Sequence, residues 1–290
     1  MAREQDILKR AAPKRPPRLT SRRIGIHTSS AGGVQNAAER AYRLGCNTFQ
    51  IFSSSPRQWA PYELGQPQCD EMNRLRARYD LKPLVIHTNY LVNLASSNEL
   101  FLQKSMLAFR GEMERALSLC AEYLVLHPGS FRGADREQGL LRTAAAIAAS
   151  TEGLDLSKCG LTILIENTAG AEFSLGGSFE QVAEVLERLD GIVPVGACID
   201  TCHTQRRGIR HRQQRRHLSD AAASRGNNRI EPCESLALQR CEGGSRLQAR
   251  SSSARGEGHN RERSIPHLAQ RPAPGPCRVH CGNPNRSAGR

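Results

Sequence analysis

Residues able to bind a metal ion recur where short apolar segments end. Five of six such segments end in a histidine or a carboxylate, and one further histidine follows the last of them. Imidazole and carboxylate groups without a set of thiolates suit zinc or manganese in an open, catalytic site. One such histidine alone is more often a packed structural residue, but burying all of them without a partner would cost several kcal/mol each. The candidate ligands are His27, His87, His127, Glu166, Asp200 and His203.

Short apolar segments alternate with segments of helical periodicity, which indicates repeated βα units. Glycines at 45, 160 and 191 punctuate the helix ends or the turns that follow them. The predicted strands are Ile24 to His27, Thr48 to Phe52, Leu84 to His87, Tyr123 to His127, Leu161 to Glu166 and Val195 to Asp200. Amphipathic segments include Val34 to Leu44, Leu102 to Cys120, Arg142 to Ala149 and Phe179 to Leu189.

The spacing of the strand ends favours a TIM (β/α)8 barrel. One βα unit of such a barrel takes about 30 to 40 residues, and its functional groups collect at the C-terminal ends of the strands. The ligands would then converge on one mouth. A doubly wound sheet is the competing fold, but it would place a Gly-rich phosphate loop after the first strand, and Ala31-Gly32-Gly33 lacks that pattern.

Charge divides the chain into three parts. Residues 1–23 carry 8 basic and 2 acidic side chains and three prolines, which predicts a disordered basic leader. Residues 24–204 carry 15 basic and 20 acidic side chains and form the predicted barrel domain of about six βα units. Residues 205–290 carry 18 arginines and 6 acidic residues but no Lys, Phe, Tyr, Trp or Met, so a disordered Arg-rich tail is expected.

The remaining composition limits the cellular setting. No stretch reaches the 18 or so apolar residues of a membrane span, and no apolar segment follows the N-terminal charges, so we expect a cytoplasmic protein without a membrane partner. The ten cysteines are scattered without paired spacing. We therefore expect mostly plain buried thiols rather than disulfides.

Six motifs give the chain a recognisable resemblance. It resembles the endonuclease IV family, the zinc-dependent apurinic/apyrimidinic endonucleases, over about residues 24 to 204. This resemblance implies a TIM barrel with three zinc ions that cleaves DNA on the 5′ side of abasic sites in base excision repair, acting as a monomer. The motifs are I-G-I-H-T-S-S-A-G-G, F-Q-I-F-S-S-S-P-R-Q-W, V-I-H-T-N-Y-L-V-N-L, L-H-P-G-S, I-E-N-T-A-G and C-I-D-T-C-H-T.

The resemblance also implies roles for individual residues. His87 and His127 would hold one zinc, and Glu166 would bridge to a second as the catalytic carboxylate. Asp200 would bind the second ion and His203 the third. Arg57, in the R-Q-W loop, and Tyr90 would probe the DNA at the lesion.

After His203 the family pattern stops, and with it four further ligands. We therefore expect fewer than three zinc ions and impaired activity in this chain. If the codons of the tail are read one nucleotide later, those of Leu236 to Glu242 permit W-H-C-N-D-A-K and those of Cys277 to Arg286 permit V-A-F-I-A-E-T-P-I-D. Our hypothesis is a frameshift near the codon of Thr204.

Two alternatives remain at this point. Besides the endonuclease, the sequence leaves open a non-catalytic nucleic-acid-binding protein that uses its basic tail, and another metal-dependent TIM-barrel enzyme such as a sugar isomerase. The R-Q-W loop and the D-T-C-H run argue against the isomerase.

Overall fold

A computed structural model of the chain describes residues 7–9, 11, 22–60 and 62–206. Within these residues, six strands form one parallel sheet and alternate with helices. The strands are β1 (Gly25–His27), β2 (Thr48–Phe52), β3 (Leu84–His87), β4 (Tyr123–Leu126), β5 (Thr162–Glu166) and β6 (Val195–Cys198). The helices are α1 (Gln35–Arg43), α2 (Gln66–Tyr79), α3 (Glu99–Ser118), α4 (Arg136–Thr151), α5 (Phe179–Leu189) and α6 (Thr201–Arg206), with a 3-10 turn at Leu156–Lys158.

The order of the strands decides between the two predicted folds. Each strand pairs in parallel with its neighbours in the sequence, in the order β1-β2-β3-β4-β5-β6. A doubly wound sheet would instead reverse its order at a switch point. The TIM-barrel prediction is confirmed: of the barrel's eight strands, the described residues supply six, and among them β1 and β6 pair on one side only.

Alternation along the strands separates two apolar layers. The strand side chains that point to one face of the sheet, such as Ile86 and Ile163, belong to the large core that contains helical side chains such as Phe109. The strand side chains that point to the opposite face form a small separate cluster of Val85, Val125, Leu164 and Cys198. Because successive side chains of a strand point to opposite faces, the small cluster lies on the face of the sheet away from the helices.

Several predicted boundaries were wrong by a few residues. β4 and β6 end at Leu126 and Cys198, so that His127 and Asp200 lie just beyond their strands. α4 begins at Arg136 rather than Arg142, because the Asp135 side chain accepts a hydrogen bond from the backbone N–H of Gln138 at 2.7 Å and caps the helix. The prediction did not name α2 at all.

The predicted turn glycines are confirmed by their backbone. Gly45, Gly160 and Gly191 have φ of +80°, +67° and +72°, in the region that glycine adopts most readily. None of the described helices is both long and apolar enough to cross a bilayer. The predicted tail lies outside the described residues, apart from the backbone of 205–206, and so does most of the predicted leader.

Candidate metal centre

Strand alternation places the predicted ligands on one face. His87 lies two residues after Val85, His127 two after Val125, and Glu166 two after Leu164. Each therefore follows a member of the small apolar cluster with the same parity. Parallel pairing then brings their strand ends to the same edge of the sheet. The ligands meet because of the register, although they are far apart in the sequence.

The first group consists of His87, His127 and Glu166, whose ligand atoms lie within 4.8 Å of one another. The Nε2 atoms of His87 and His127 are each 3.0 Å from Oε2 of Glu166. His87 and Glu166 are buried. Burial alone would raise the pKa of Glu166, but its contacts with the two imidazoles outweigh burial and lower the pKa. The carboxylate is therefore held in its charged form.

Hydrogen bonding shows that this group fits a cation. Nδ1 of His87 lies 2.7 Å from the carbonyl oxygen of Thr88, which can only accept, so Nδ1 carries a hydrogen. In a neutral ring Nε2 is then a bare lone pair that faces a carboxylate. Nε2 of His127 is buried and has no hydrogen-bond partner of acceptable geometry among the described residues, despite its distance from Glu166. A divalent ion would satisfy both nitrogens and the carboxylate.

The second group shares Glu166 with the first and adds Asp200 and His203. Asp200 precedes α6, and its Oδ1 accepts a hydrogen bond from the backbone N–H of His203 at 2.9 Å. Nδ1 of His203 is 2.8 Å from the carbonyl oxygen of Asn167, and it lies 3.7 Å from Oδ2 of Asp200 and 3.8 Å from Oε1 of Glu166. The first turn of α6 thus places a carboxylate and an imidazole side by side.

Asn167 positions this second group, and the sequence analysis missed it. Its Oδ1 accepts from the N–H of Asp200 at 2.6 Å, and its Nδ2 donates to the carbonyl of Asp200 at 3.1 Å and to Oγ1 of Thr204 at 3.2 Å. The residue is buried directly after Glu166. Its place in the I-E-N-T-A-G motif was the available signal.

Tyr90 borders the first group. Its ring centroid lies 5.8 Å from that of His87 and 6.4 Å from that of His127, and the residue is 36% exposed. Arg57 is exposed on the segment that follows β2. The segment that carries Arg57 is joined to the segment that carries Tyr90, because the N–H of Tyr90 donates to the carbonyl of Pro56 at 3.0 Å. His27, at the end of β1, belongs to neither ligand group.

The segment that carries Arg57, residues 53–59, is here called the Arg57 loop. Its first two residues, Ser53 and Ser54, donate hydrogen bonds to the buried carboxylate of Glu112 on α3. Arg115 donates to Ser53 at 2.9 Å and pairs with Glu112 at 3.2 Å. These contacts attach the beginning of the loop to a rigid helix.

The end of the Arg57 loop is also held. Nδ2 of Asn89 donates to the carbonyl of Gln58 at 3.2 Å. The Trp59 ring meets Phe101 edge-on, at 5.4 Å between centroids, and Nζ of Lys104 lies 4.7 Å from the centre of the indole. The loop is thus attached to both the β3–α3 connection and α3, which presents Arg57 next to Tyr90.

A sequential parallel sheet with imidazole and carboxylate side chains on its inner face places the protein in the TIM-barrel class and offers it a candidate metal site. The model of the xylose isomerase-like TIM barrel family matches residues 38–236. The chain belongs to this family, and within it to the endonuclease IV proteins, as the following similarities show.

A probable endonuclease 4 from Solibacter usitatus is 46% identical over 183 residues, which cover 62% of either protein. One from Halothermothrix orenii is 34% identical over 181 residues, covering 62% of this chain and 64% of that protein. The crystal structure of endonuclease IV from Thermus thermophilus superposes with a TM-score of 0.58 at 33% identity, covering 70% of this chain and 71% of the other. This chain therefore spans less than two thirds of the length of the curated relatives that it matches.

Proposed function

We propose that residues 24–204 are the metal-binding part of a zinc-dependent endonuclease that hydrolyses the phosphodiester 5′ to abasic sites in DNA, as in base excision repair. One observation carries the proposal: Glu166 lies in two groups of potential ligands, His87 and His127 on one side and Asp200 and His203 on the other. Two ions that share a carboxylate suit hydrolysis of a phosphodiester. The similarity to endonuclease IV supports DNA as the substrate.

Each residue has a part in this proposal. When bound, zinc lowers the pKa of a water ligand toward about 7 and so supplies hydroxide at neutral pH. Glu166 would hold two ions at a fixed separation, and Asn167 would keep Asp200 and His203 in place. Tyr90 borders the candidate ligands, and Arg57 lies on the loop that is hydrogen-bonded to Tyr90. Both would contact the DNA where the base is missing, since an unpaired nucleotide is easily extruded. The cytoplasmic location and monomeric state belong to the same proposal.

The number of ligand atoms sets the expected activity. A catalytic zinc takes about three protein ligands and a water, so three ions would need about nine ligand atoms. The two groups contain three imidazoles and two carboxylates, which offer at most seven. We therefore propose that this chain binds at most about two zinc ions and that its nicking activity is impaired.

The proposed reading-frame change accounts for the composition of the tail. The relatives from Solibacter and Halothermothrix match over 183 and 181 residues, about the length of the proposed domain. Sequencing the DNA from the codon of residue 200 to that of residue 286 tests it. Bases that cannot encode W-H-C-N-D-A-K and V-A-F-I-A-E-T-P-I-D in the shifted frame would exclude a frameshift.

Zinc content and DNA nicking together test the function. The full chain would be assayed on a duplex with one tetrahydrofuran abasic analogue and on the undamaged duplex, beside Glu166→Gln, His127→Ala and the control His27→Ala. We expect at most about two zinc per chain, weak nicking of the abasic duplex only, and loss of both in the first two variants but not in the control. Nicking that survives Glu166→Gln and a chelator would contradict the proposal, and three tightly held zinc ions would contradict the incomplete site.

A further inference from the structure

Two cysteines meet at the end of the sheet opposite the metal centre. Cys120 lies in the turn between α3 and β4, and Cys159 lies in the turn between the 3-10 segment and β5. Their sulfur atoms are 2.7 Å apart, with Cys159 as the donor. The Cys159 sulfur is also 3.5 Å from the carbonyl oxygen of Leu117. Both residues are free thiols in this structure.

Strand register brings the two thiols together. Tyr123 of β4 pairs with Thr162 of β5, and each cysteine lies three residues before its member of that pair. The backbone N–H of Thr162 donates to the carbonyl of Glu122 at 3.0 Å and extends the pairing toward the cysteines. The pairing of β4 with β5 thus places the two side chains next to each other.

The backbone of Cys120 is a second, separate observation. Its φ is +45°, in the left-handed region, at the second residue after α3. At the same position after α1 the chain has Gly45, with φ of +80°. A side chain in this conformation carries a backbone cost that glycine would avoid. The cysteine side chain at position 120 is therefore present in spite of a backbone cost, which supports a role for its thiol.

We propose that Cys120 and Cys159 form a redox-modification site, which a small-molecule disulfide of the glutathione type oxidises to an intramolecular disulfide. The thiolate of Cys120 attacks the small disulfide, forms a mixed disulfide and releases one thiol. The thiolate of Cys159 then attacks the Cys120 sulfur and releases the second thiol. In total the two protein thiols lose two electrons and two protons, which reduce the small disulfide to two thiols.

Exposure determines the order of the two steps. Cys120 is exposed, whereas Cys159 is partly buried. Burial, and then the hydrogen bond to Cys120, raises the pKa of Cys159 to about 11. The outer thiol is thus the one that reacts first, and the inner thiol resolves the mixed disulfide.

The consequence of oxidation would be a covalent link between two neighbouring βα units. The bridge would close a loop of about forty residues, which in the chain-entropy model raises the melting temperature of a domain of this size by roughly 10 °C. The other cysteines among the described residues are differently placed: Cys46, Cys69 and Cys198 are buried, and Cys202 is exposed between Asp200 and His203.

The test uses the full chain, reduced and then exposed to oxidised glutathione. Peptide mass mapping should find a Cys120–Cys159 bridge with the loss of two hydrogens. Thermal unfolding should show a rise of roughly 10 °C in the melting temperature, which dithiothreitol reverses. Cys120→Ser and Cys159→Ser should abolish the bridge. The matched control Cys69→Ser, which removes a neighbouring buried thiol, should retain it.

Two results would overturn the proposal. One is a stable glutathione adduct on Cys120 with a free thiol at Cys159. The other is a bridge from either cysteine to any other cysteine of the chain. Both are read by mass mapping of the unsubstituted protein, so neither depends on how well the variants fold.

Discussion

Replacing Glu112 by glutamine tests how the Arg57 loop is held. The Glu112 side chain is 1% exposed, accepts hydrogen bonds from Ser53 and Ser54, and pairs with Arg115, whose side chain is 13% exposed. The amide keeps the shape but removes the charge, so Arg115 is left buried without its counter-ion. Breaking a buried pair from one side costs about 3–5 kcal/mol. Since Arg115 keeps its hydrogen bond to Ser53, we expect the lower end of that range, about 3 kcal/mol.

Urea and thermal unfolding of the full chain measure this loss. A destabilisation of that size lowers the melting temperature by roughly 6–12 °C for a domain of this length. Glu114→Gln is the matched control, because Glu114 lies on the same helix in an exposed pair with Arg110 at 3.2 Å, with 54% and 35% of the side chains exposed. The control should change the free energy of unfolding by at most about 0.5 kcal/mol. If both variants unfold at the same urea concentration, the buried carboxylate does not hold the loop.

Three further changes are predicted in the same way. Asn167→Ala leaves the buried N–H of Asp200 without its partner, whereas the carbonyl of Asp200 still accepts from Thr204. The variant should therefore lower the free energy of unfolding by about 2 kcal/mol and reduce zinc content. Gly25→Ala would place its Cβ against the carbonyl oxygen of Thr48, well inside van der Waals contact, so the variant should be recovered mainly as insoluble protein; a soluble yield like that of the unsubstituted chain would be the contrary result. Removing metal with a chelator should lower the melting temperature of the metal-loaded protein but not that of Glu166→Gln, as read by calorimetry.

The fold could be predicted from the sequence because its main signals are local. Strand-length apolar segments and the spacing of their polar ends identified all six strands, and β2 and β3 match their predicted bounds. The ends of β4 and β6 were placed too late because His127 and Asp200 continue the alternation of the strand without joining its hydrogen bonds. Side chains thus continue to alternate between the two faces for one or two residues after the backbone pairing of the strand has ended.

The candidate ligands were easier to predict than the residues that position them. His87 and Glu166 stand at the C-terminal ends of strands and Asp200 follows one, and functional groups of a TIM barrel collect there. Glu112 lies in the middle of a helix and contacts Ser53 across 59 residues of sequence. Neither its type nor its spacing distinguishes it from an exposed helical glutamate such as Glu114. Such contacts depend on tertiary packing and have no local signature.

The shared carboxylate has a consequence for how metal enters. Nε2 of His87 lies 3.0 Å from Oε2 of Glu166, a contact that is a hydrogen bond only when Nε2 carries a proton, because a carboxylate only accepts. A zinc ion bound as proposed would take the place of that proton, and Glu166 would then face a fixed positive charge. Uptake of zinc should therefore acidify an unbuffered solution, and the first ion should alter the affinity for the next, so that loading follows a coupled rather than an independent isotherm.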